Sequence, residues 1–305
     1  MVQFSPWRLL RHGSRVLRAA LVIASALGAV TWTGAATARA ADAPGNPERG
    51  AYILRLGGCV ACHTNTKKKG PMLAGGVALK SPYGTFYAPN ITPDKQTGIG
   101  GWSTEDFIRA MTHGVLPDGA PLYPAFPYTS FTHMTRQDLI DLKAYLDTVP
   151  PVHFEAPEND LRFPYNLRIA LVVWRWLFFE PKPFKPEANK SAEWNRGAYL
   201  VTGPGHCGEC HSPRNFFGAV DQDRALAGTS AGPDGKPVPS IRPRPKHGIG
   251  GWTKEDVAYA LKTGGKPDGD VLGGAMGDVI EDSTSHWTDA DLNAVATYLL
   301  SLPAR

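Results

Sequence analysis

The sequence predicts an all-α chain made of two tandem copies of one unit, and three observations predict it. Landmarks recur in order at offsets of 147, 148, 150 and 153 residues. Arg49-Gly50-Ala51-Tyr52 returns as Arg196-Gly197-Ala198-Tyr199, and Cys59 returns as Cys207. Gly98-Ile99-Gly100-Gly101-Trp102 returns unchanged at 248–252, and Thr135-x-x-Asp138-Leu139 returns as Thr288-x-x-Asp291-Leu292. Repetition at a fixed period marks a duplicated structural unit. The second observation is a set of helix starts: Ser103, Thr135, Thr253 and Thr288 each precede an aspartate by three positions. An apolar pair brackets every one of them (Trp102/Phe107, Met134/Leu139, Trp252/Val257, Trp287/Leu292), as in a hydrophobic staple. The third is the cysteine count. All four cysteines fall in two Cys-x-x-Cys-His pentapeptides, at 59–63 and 207–211.

Taken in order, residues 1–40 read as a signal peptide. Arg8, Arg11, Arg15 and Arg18 precede an uncharged run from Ala19 to Ala38, and Ala38-Arg39-Ala40 has the small-x-small pattern of a cleavage site. The alternative is an N-terminal anchor, since about twenty uncharged residues can just span a bilayer. The formal charge of +4 resides in this segment, which holds five arginines and no acid; the remainder is 4 − 5 = −1. No basic footprint for nucleic acid is left.

The first unit, 41–150, carries Cys59-Val60-Ala61-Cys62-His63. On one helical turn, positions i, i+3 and i+4 share a face. Cys59 and Cys62 can thus reach the two vinyl groups of one porphyrin while His63 reaches the iron, which is the attachment signature of a c-type haem. A zinc site or redox dithiol uses similar spacing and remains the alternative at this point. The twin, Cys207-Gly208-Glu209-Cys210-His211, makes the same reading for the second unit, 191–305. The pattern therefore calls for two covalently attached haem c groups, with His63 and His211 on the iron atoms. The Gly-Ile-Gly-Gly run supplies permissive backbone ahead of each tryptophan; it is not followed by the Lys-Ser/Thr of a phosphate loop.

Between the units, 151–190 reads as a proline-rich linker with one compact apolar stretch, Leu167 to Phe179. Arg168 and Arg175 leave only six uncharged residues between them, too few to span a membrane. The stretch reads as a linker helix packed against both units and, without excluding that, as a docking surface for a partner or the membrane face, anchored by Trp174, Trp176, Phe178 and Phe179.

With these strings in place, the chain resembles the dihaem cytochrome c subunits that accompany periplasmic bacterial dehydrogenases. The likeness covers nearly all of residues 41–305 and is carried by Asn90-Ile91-Thr92-Pro93-Asp94 ahead of Gly-Ile-Gly-Gly-Trp, and by Tyr123-Pro124-Ala125-Phe126-Pro127-Tyr128. Ser191-Ala192-Glu193-Trp194-Asn195-Arg196-Gly197 and Gly273-Gly274-Ala275-Met276 extend it to the second unit. The resemblance implies two tandem cytochrome c-like domains, each with His and usually Met on the iron. A distal thioether favours reduced iron and raises the potential. In the second unit Met276 fits, as the one methionine there, on a glycine-flanked loop 65 residues after His211. In the first unit Phe126 stands where Met276 aligns, so the expectation moves to Met134. Met72, Met111, His133 or an open site remain alternatives.

The function that follows is electron relay. The chain is expected to take electrons from a periplasmic dehydrogenase subunit and deliver them to an oxidase, a quinone or a small cytochrome, without turning over a substrate itself. It is expected in the periplasm, with peripheral association with the membrane through the central stretch. The rival is a dihaem enzyme, a peroxidase or thiosulfate-oxidising cytochrome, which needs one open haem site.

Overall fold

The structure is a computed structural model that describes residues 42–232, 235–246 and 248–304. The leader reading of 1–40 lies outside the described residues. From Asp42 onward the chain forms one compact unit.

In the first half, α1 (Pro47–Leu56) starts at Asn46, whose side chain accepts from the Arg49 amide, with Pro47 as first helical residue. The turn α2 (Cys59–His63) carries the first pentapeptide. A hairpin of β1 (Ala78–Ser81) and β2 (Gly84–Tyr87) follows, then α3 (Thr104–His113), α4 (Tyr128–Phe131) and α5 (Arg136–Leu146). The connecting segment holds β3 (Asp160–Leu161) and α6 (Ile169–Phe178). The second half repeats the scheme with α7 (Ala192–Thr202), α8 (Gly208–His211), α9 (Lys254–Thr263), α10 (Ala275–Asp282) and α11 (Asp289–Leu300).

The all-α expectation needs one correction. β3 adds to the hairpin to make a three-stranded antiparallel sheet in the order β1-β2-β3, with Gly84 opposite Leu161 and Thr85 opposite Asp160. Among the described residues the second half has a single bridge, Thr229 to Val238, at the corresponding place. Strands of two to four residues carry no readable periodicity, and the third comes from about 75 positions away in the chain.

All four expected helix starts are N-caps: Ser103, Thr135, Thr253 and Thr288 each accept from the amide of the aspartate three positions on. In each half the first helix crosses the last one closely, and glycine permits it. A Cβ on Gly50 would lie 1.9 Å from the Asp141 carbonyl oxygen; one on Gly197 would lie 1.9 Å from that of Ala294. Around the first crossing Ile53, Leu54, Phe107, Leu139 and Leu142 build one apolar core; Tyr199, Leu200, Val257, Leu292 and Val295 build the other.

The repeated Arg-Gly-Ala-Tyr motif also joins the halves. In α3 and α9 the capping aspartate bonds back to the cap amide (Ser103 N to Asp106 at 3.2 Å, Thr253 N to Asp256 at 2.8 Å) and closes the box. In α5 and α11 a tyrosine from the other half takes that amide. Thr135 N donates to the Tyr199 hydroxyl at 3.2 Å, and Thr288 N donates to the Tyr52 hydroxyl at 3.1 Å. Each hydroxyl in turn donates to the aspartate: Tyr199 to Asp138, and Tyr52 to Asp291 at 2.7 Å. Arg49 pairs with Asp138 and Asp141, while Arg196 grips Asp291 through two bonds of 2.8 and 2.7 Å. Burial pushes the Asp291 carboxyl up, but the bonds from Arg196 and Tyr52 outweigh it and leave it below its ordinary range. Burial, and then the Asp138 charge, pushes the Tyr199 phenol up, so it stays a donor.

The segment 151–190 is bonded along its length rather than slack. Tyr87 N donates to Asn159, Asn90 donates to the Val152 carbonyl, and Lys182 N donates to Thr132. On α6, Arg175 donates to the Gly114 carbonyl at 3.2 Å and Trp174 to the Phe217 carbonyl at 2.8 Å, so the helix touches both halves. Its apolar face is nevertheless outward. Ile169, Val172, Val173, Trp176 and Leu177, at helical spacing, are all exposed, Trp176 by 82%.

Candidate functional site

The two pentapeptides sit in matching frames. α2 enters through Gly58 in the left-handed region (φ 57°), and α8 enters after His206, which has φ 37°. Each histidine has its Nδ1 tied to a proline carbonyl, His63 to Pro89 at 2.7 Å and His211 to Pro239 at 2.8 Å. A carbonyl only accepts, so Nδ1 carries the proton and the Nε2 lone pair is left for a metal. Burial lowers both imidazoles and the carbonyl bonds partly oppose it, so both rings are neutral at neutral pH.

Further duplicated contacts hold each ring. The amides of Gly75 and Gly228 donate to the histidine carbonyls at 2.7 Å in both halves. The hydroxyl after each histidine, Thr64 or Ser212, accepts from the amide of Leu73 or Leu226. The sequence reading missed these partners. Their signal was there in outline: Ala88-Pro89-Asn90 and Val238-Pro239-Ser240 stand 150 residues apart and follow their histidines by 26 and 28 residues.

No disulfide joins any of the four cysteines. Burial pushes Cys59 and Cys207 up to about 12, with the neighbouring cysteine of each pair adding to it. A redox dithiol needs a thiolate well below the ordinary thiol range, which this environment opposes. Two cysteines on one turn, beside an imidazole whose Nδ1 is tied to a carbonyl, fit a covalently attached haem and its iron.

The expected distal ligands are placed differently from one another. Met134 is buried in the first core between α4 and α5, with Met111 of α3 in the same core, whereas Met72 is 44% exposed. Phe126 packs on that core with its ring 5.4 Å from that of Phe131. Met276 is not on a loop as expected: it is the second residue of α10 and half-buried. Gly274 (φ 62°) supplies the bend before the helix, so the glycines read as loop flanks are its entry.

The fold and the paired Cys-x-x-Cys-His turns are those of a c-type cytochrome. Residues 47–150 match the cytochrome c family model. The chain is 43% identical to a diheme cytochrome c-type protein of Cereibacter sphaeroides, over 85% of this chain and 87% of that protein. It is also 45% identical to the cytochrome c subunit of an alcohol dehydrogenase (quinone) from Gluconacetobacter polyoxogenes, over 84% of this chain. With the fructose dehydrogenase cytochrome subunit of Gluconobacter japonicus it shares 43% identity over the same fraction. The chain spans about half the length of these two subunits, 56% and 52%. It belongs to the cytochrome c family, among relatives that serve as cytochrome c subunits of dehydrogenases.

Proposed function

We propose that the chain is a two-centre electron relay, with one haem c on Cys59, Cys62 and His63 and a second on Cys207, Cys210 and His211. The observation that carries this reading is the matched pair of histidines, each with Nδ1 fixed to a proline carbonyl and Nε2 left free. Haem supplies a one-electron carrier whose potential follows its axial ligands and burial. The chain's own part is to hold two thiols and a neutral imidazole on each proximal side, to place Met134 and Met276 distally, and to keep water out with the two apolar cores. Domains of 41–150 and 191–305 joined through 151–190 are the matching division, behind a leader at 1–40 cleaved after Ala40. A dehydrogenase subunit is the electron source, and an oxidase, quinone or small cytochrome the acceptor. The names of the relatives favour this relay over a dihaem peroxidase or thiosulfate-oxidising enzyme.

The purified holoprotein should have the mass of residues 41–305 plus two haems, titrate with two one-electron waves, and leave peroxide unconsumed. Peroxide turnover by the isolated chain, lost when one centre is blocked, sinks the relay reading.

We place the protein on the outer face of the inner membrane, held by α6. Of fifteen large apolar side chains open to solvent among the described residues, eight lie within 163–177; Phe217 sits against the same helix, with Phe216 edge-on to Phe217. Such a cluster is far more than scattered surface apolar residues produce. No acid occurs from Arg162 to Phe179, and Arg162, Arg168, Lys182 and Lys185 flank the face, a charge pattern suited to anionic lipid headgroups. Among the described residues no helix is long and apolar enough to cross a membrane, so α6 would lie in the interface plane. The holoprotein should co-sediment with phosphatidylglycerol vesicles and less with phosphatidylcholine vesicles. Val173→Asn with Trp176→Ser should weaken this by about tenfold or more, given roughly 1.5–3 kcal/mol per large apolar side chain buried. Equal indifference of the native chain to both vesicles refutes the placement.

A further inference from the structure

The two attachment turns differ at their second and third residues, and the relay alone does not explain the difference at the third. The third residue of the first motif is Ala61, and that of the second is Glu209. The Glu209 side chain is 11% exposed and fully engaged. Its Oε1 accepts from the hydroxyls of Thr129 at 2.7 Å and Ser130 at 2.9 Å, both on α4 of the first half. Its Oε2 accepts from Arg214 at 2.7 Å, and Arg214 also donates to the Glu209 and Gly218 carbonyls. On the other side of Cys207, the His206 ring stands edge-on to Phe131 at 5.5 Å, with Nε2 3.4 Å from the Gly57 carbonyl, two residues before Cys59. The second attachment turn is thus seated on the first half next to the first attachment turn.

A carboxylate is a costly way to make such a seat. Taking it out of water is expensive, and an apolar contact of equal size would hold as well. What the carboxylate adds is register: its two oxygens meet three side-chain donors at normal lengths in this one placement of α8 on α4. A slip of one residue would leave a buried charge with donors missing, which costs several kcal/mol.

We propose that Glu209 is the positioning residue for electron transfer between the two centres. By locking α8 in one register on α4, it fixes the gap an electron crosses from the first attachment turn to the second. One electron moves, one centre is oxidised as the other is reduced, and no proton or further reactant takes part. The proposal rests on the two-centre relay. Tunnelling falls exponentially with the gap, so small freedom in this seat has a large effect on rate.

The test uses the holoprotein with both haems confirmed by mass, comparing Glu209→Ala, Glu209→Gln and the pair Thr129→Ala/Ser130→Ala. Three readouts are taken: redistribution of an electron between the centres after photoreduction, magnetic coupling between the oxidised irons, and both potentials. Glu209→Ala and the Thr129/Ser130 pair should slow redistribution by at least about tenfold, as small misplacements do in preorganised sites, and weaken the coupling; the Thr129/Ser130 pair, which changes no charge, should do so with both potentials unmoved. Glu209→Gln keeps an acceptor for the α4 hydroxyls and should restore most of the rate. If Glu209→Ala fails to load its haem, the Thr129/Ser130 pair, which leaves the motif intact, decides. Redistribution within about twofold of native in the loaded variants overturns the proposal. A native chain that holds one haem, or shows no redistribution at all, overturns the relay instead.

Discussion

Met134→Ala is expected to remove half of the sulfur-to-iron absorption band, lower one of the two potentials and leave the other centre unchanged. Phe126 has no atom that ligates iron, Met72 is 44% exposed, and Met111 lies within α3. Met134 sits just before the Thr135 cap, at the point where α4 hands over to α5. It also fills a staple position against Leu139 in the first core. Truncating a buried methionine costs roughly 2–5 kcal/mol whatever its role, so stability alone does not separate ligand from filler. The band and the potential do. Met111→Ala is the control, since it opens a cavity in the same core and should leave the band intact. Met276→Ala should remove the other half of the band. A full band and two unmoved potentials in Met134→Ala would make Met134 a staple residue only and return the first centre to Met72, Met111, His133 or an open site.

Gly50→Ala is expected to prevent assembly of the first half, and Gly197→Ala that of the second. The added carbon would lie 1.9 Å from a carbonyl oxygen and less than 3 Å from a tyrosine Cβ in both cases. Nothing flexible can yield, because both obstacles belong to the crossing helix. Overpacking of this kind costs at least about 3 kcal/mol, a large share of the stability of an ordinary domain. Gly251→Ala serves as reference: nothing lies within 4 Å of its Cβ position, and a change under about 0.5 kcal/mol is expected. Thermal melts and haem content of the three variants check this; a Gly50→Ala chain that loads both haems and melts like the Gly251 variant refutes the crossing argument.

What could be read from the sequence was local or repeated. Helix starts at Ser103, Thr135, Thr253 and Thr288 were legible because a cap needs only its own next three residues. The two Cys-x-x-Cys-His turns were legible because one short spacing occurs twice and uses all four cysteines. The role of the Gly-Ile-Gly-Gly run was misjudged. Neither Gly98 nor Gly100 has a positive φ; they are needed because the Thr92 and Pro93 carbonyl oxygens come within 2.2 and 2.1 Å of where a Cβ would be. Close approach is a tertiary fact and leaves no trace in a propensity. The same holds for Tyr52 and Tyr199. Their motif was seen twice, and so was the aspartate motif, but nothing local tells which tyrosine meets which aspartate.

That crosswise pairing has the form of an isologous contact. In a symmetric homodimer, residue i of one copy touches residue j of the other, and j touches i in return. Here i is the tyrosine of Arg-Gly-Ala-Tyr, j is the aspartate of Thr-x-x-Asp, and both contacts lie within one polypeptide. The chain thus carries the contact geometry of a dimer inside a single molecule, and α6 belongs to neither copy. Neither half can be detached without leaving, on each side of the cut, a tyrosine hydroxyl without its acid and a cap amide without its acceptor.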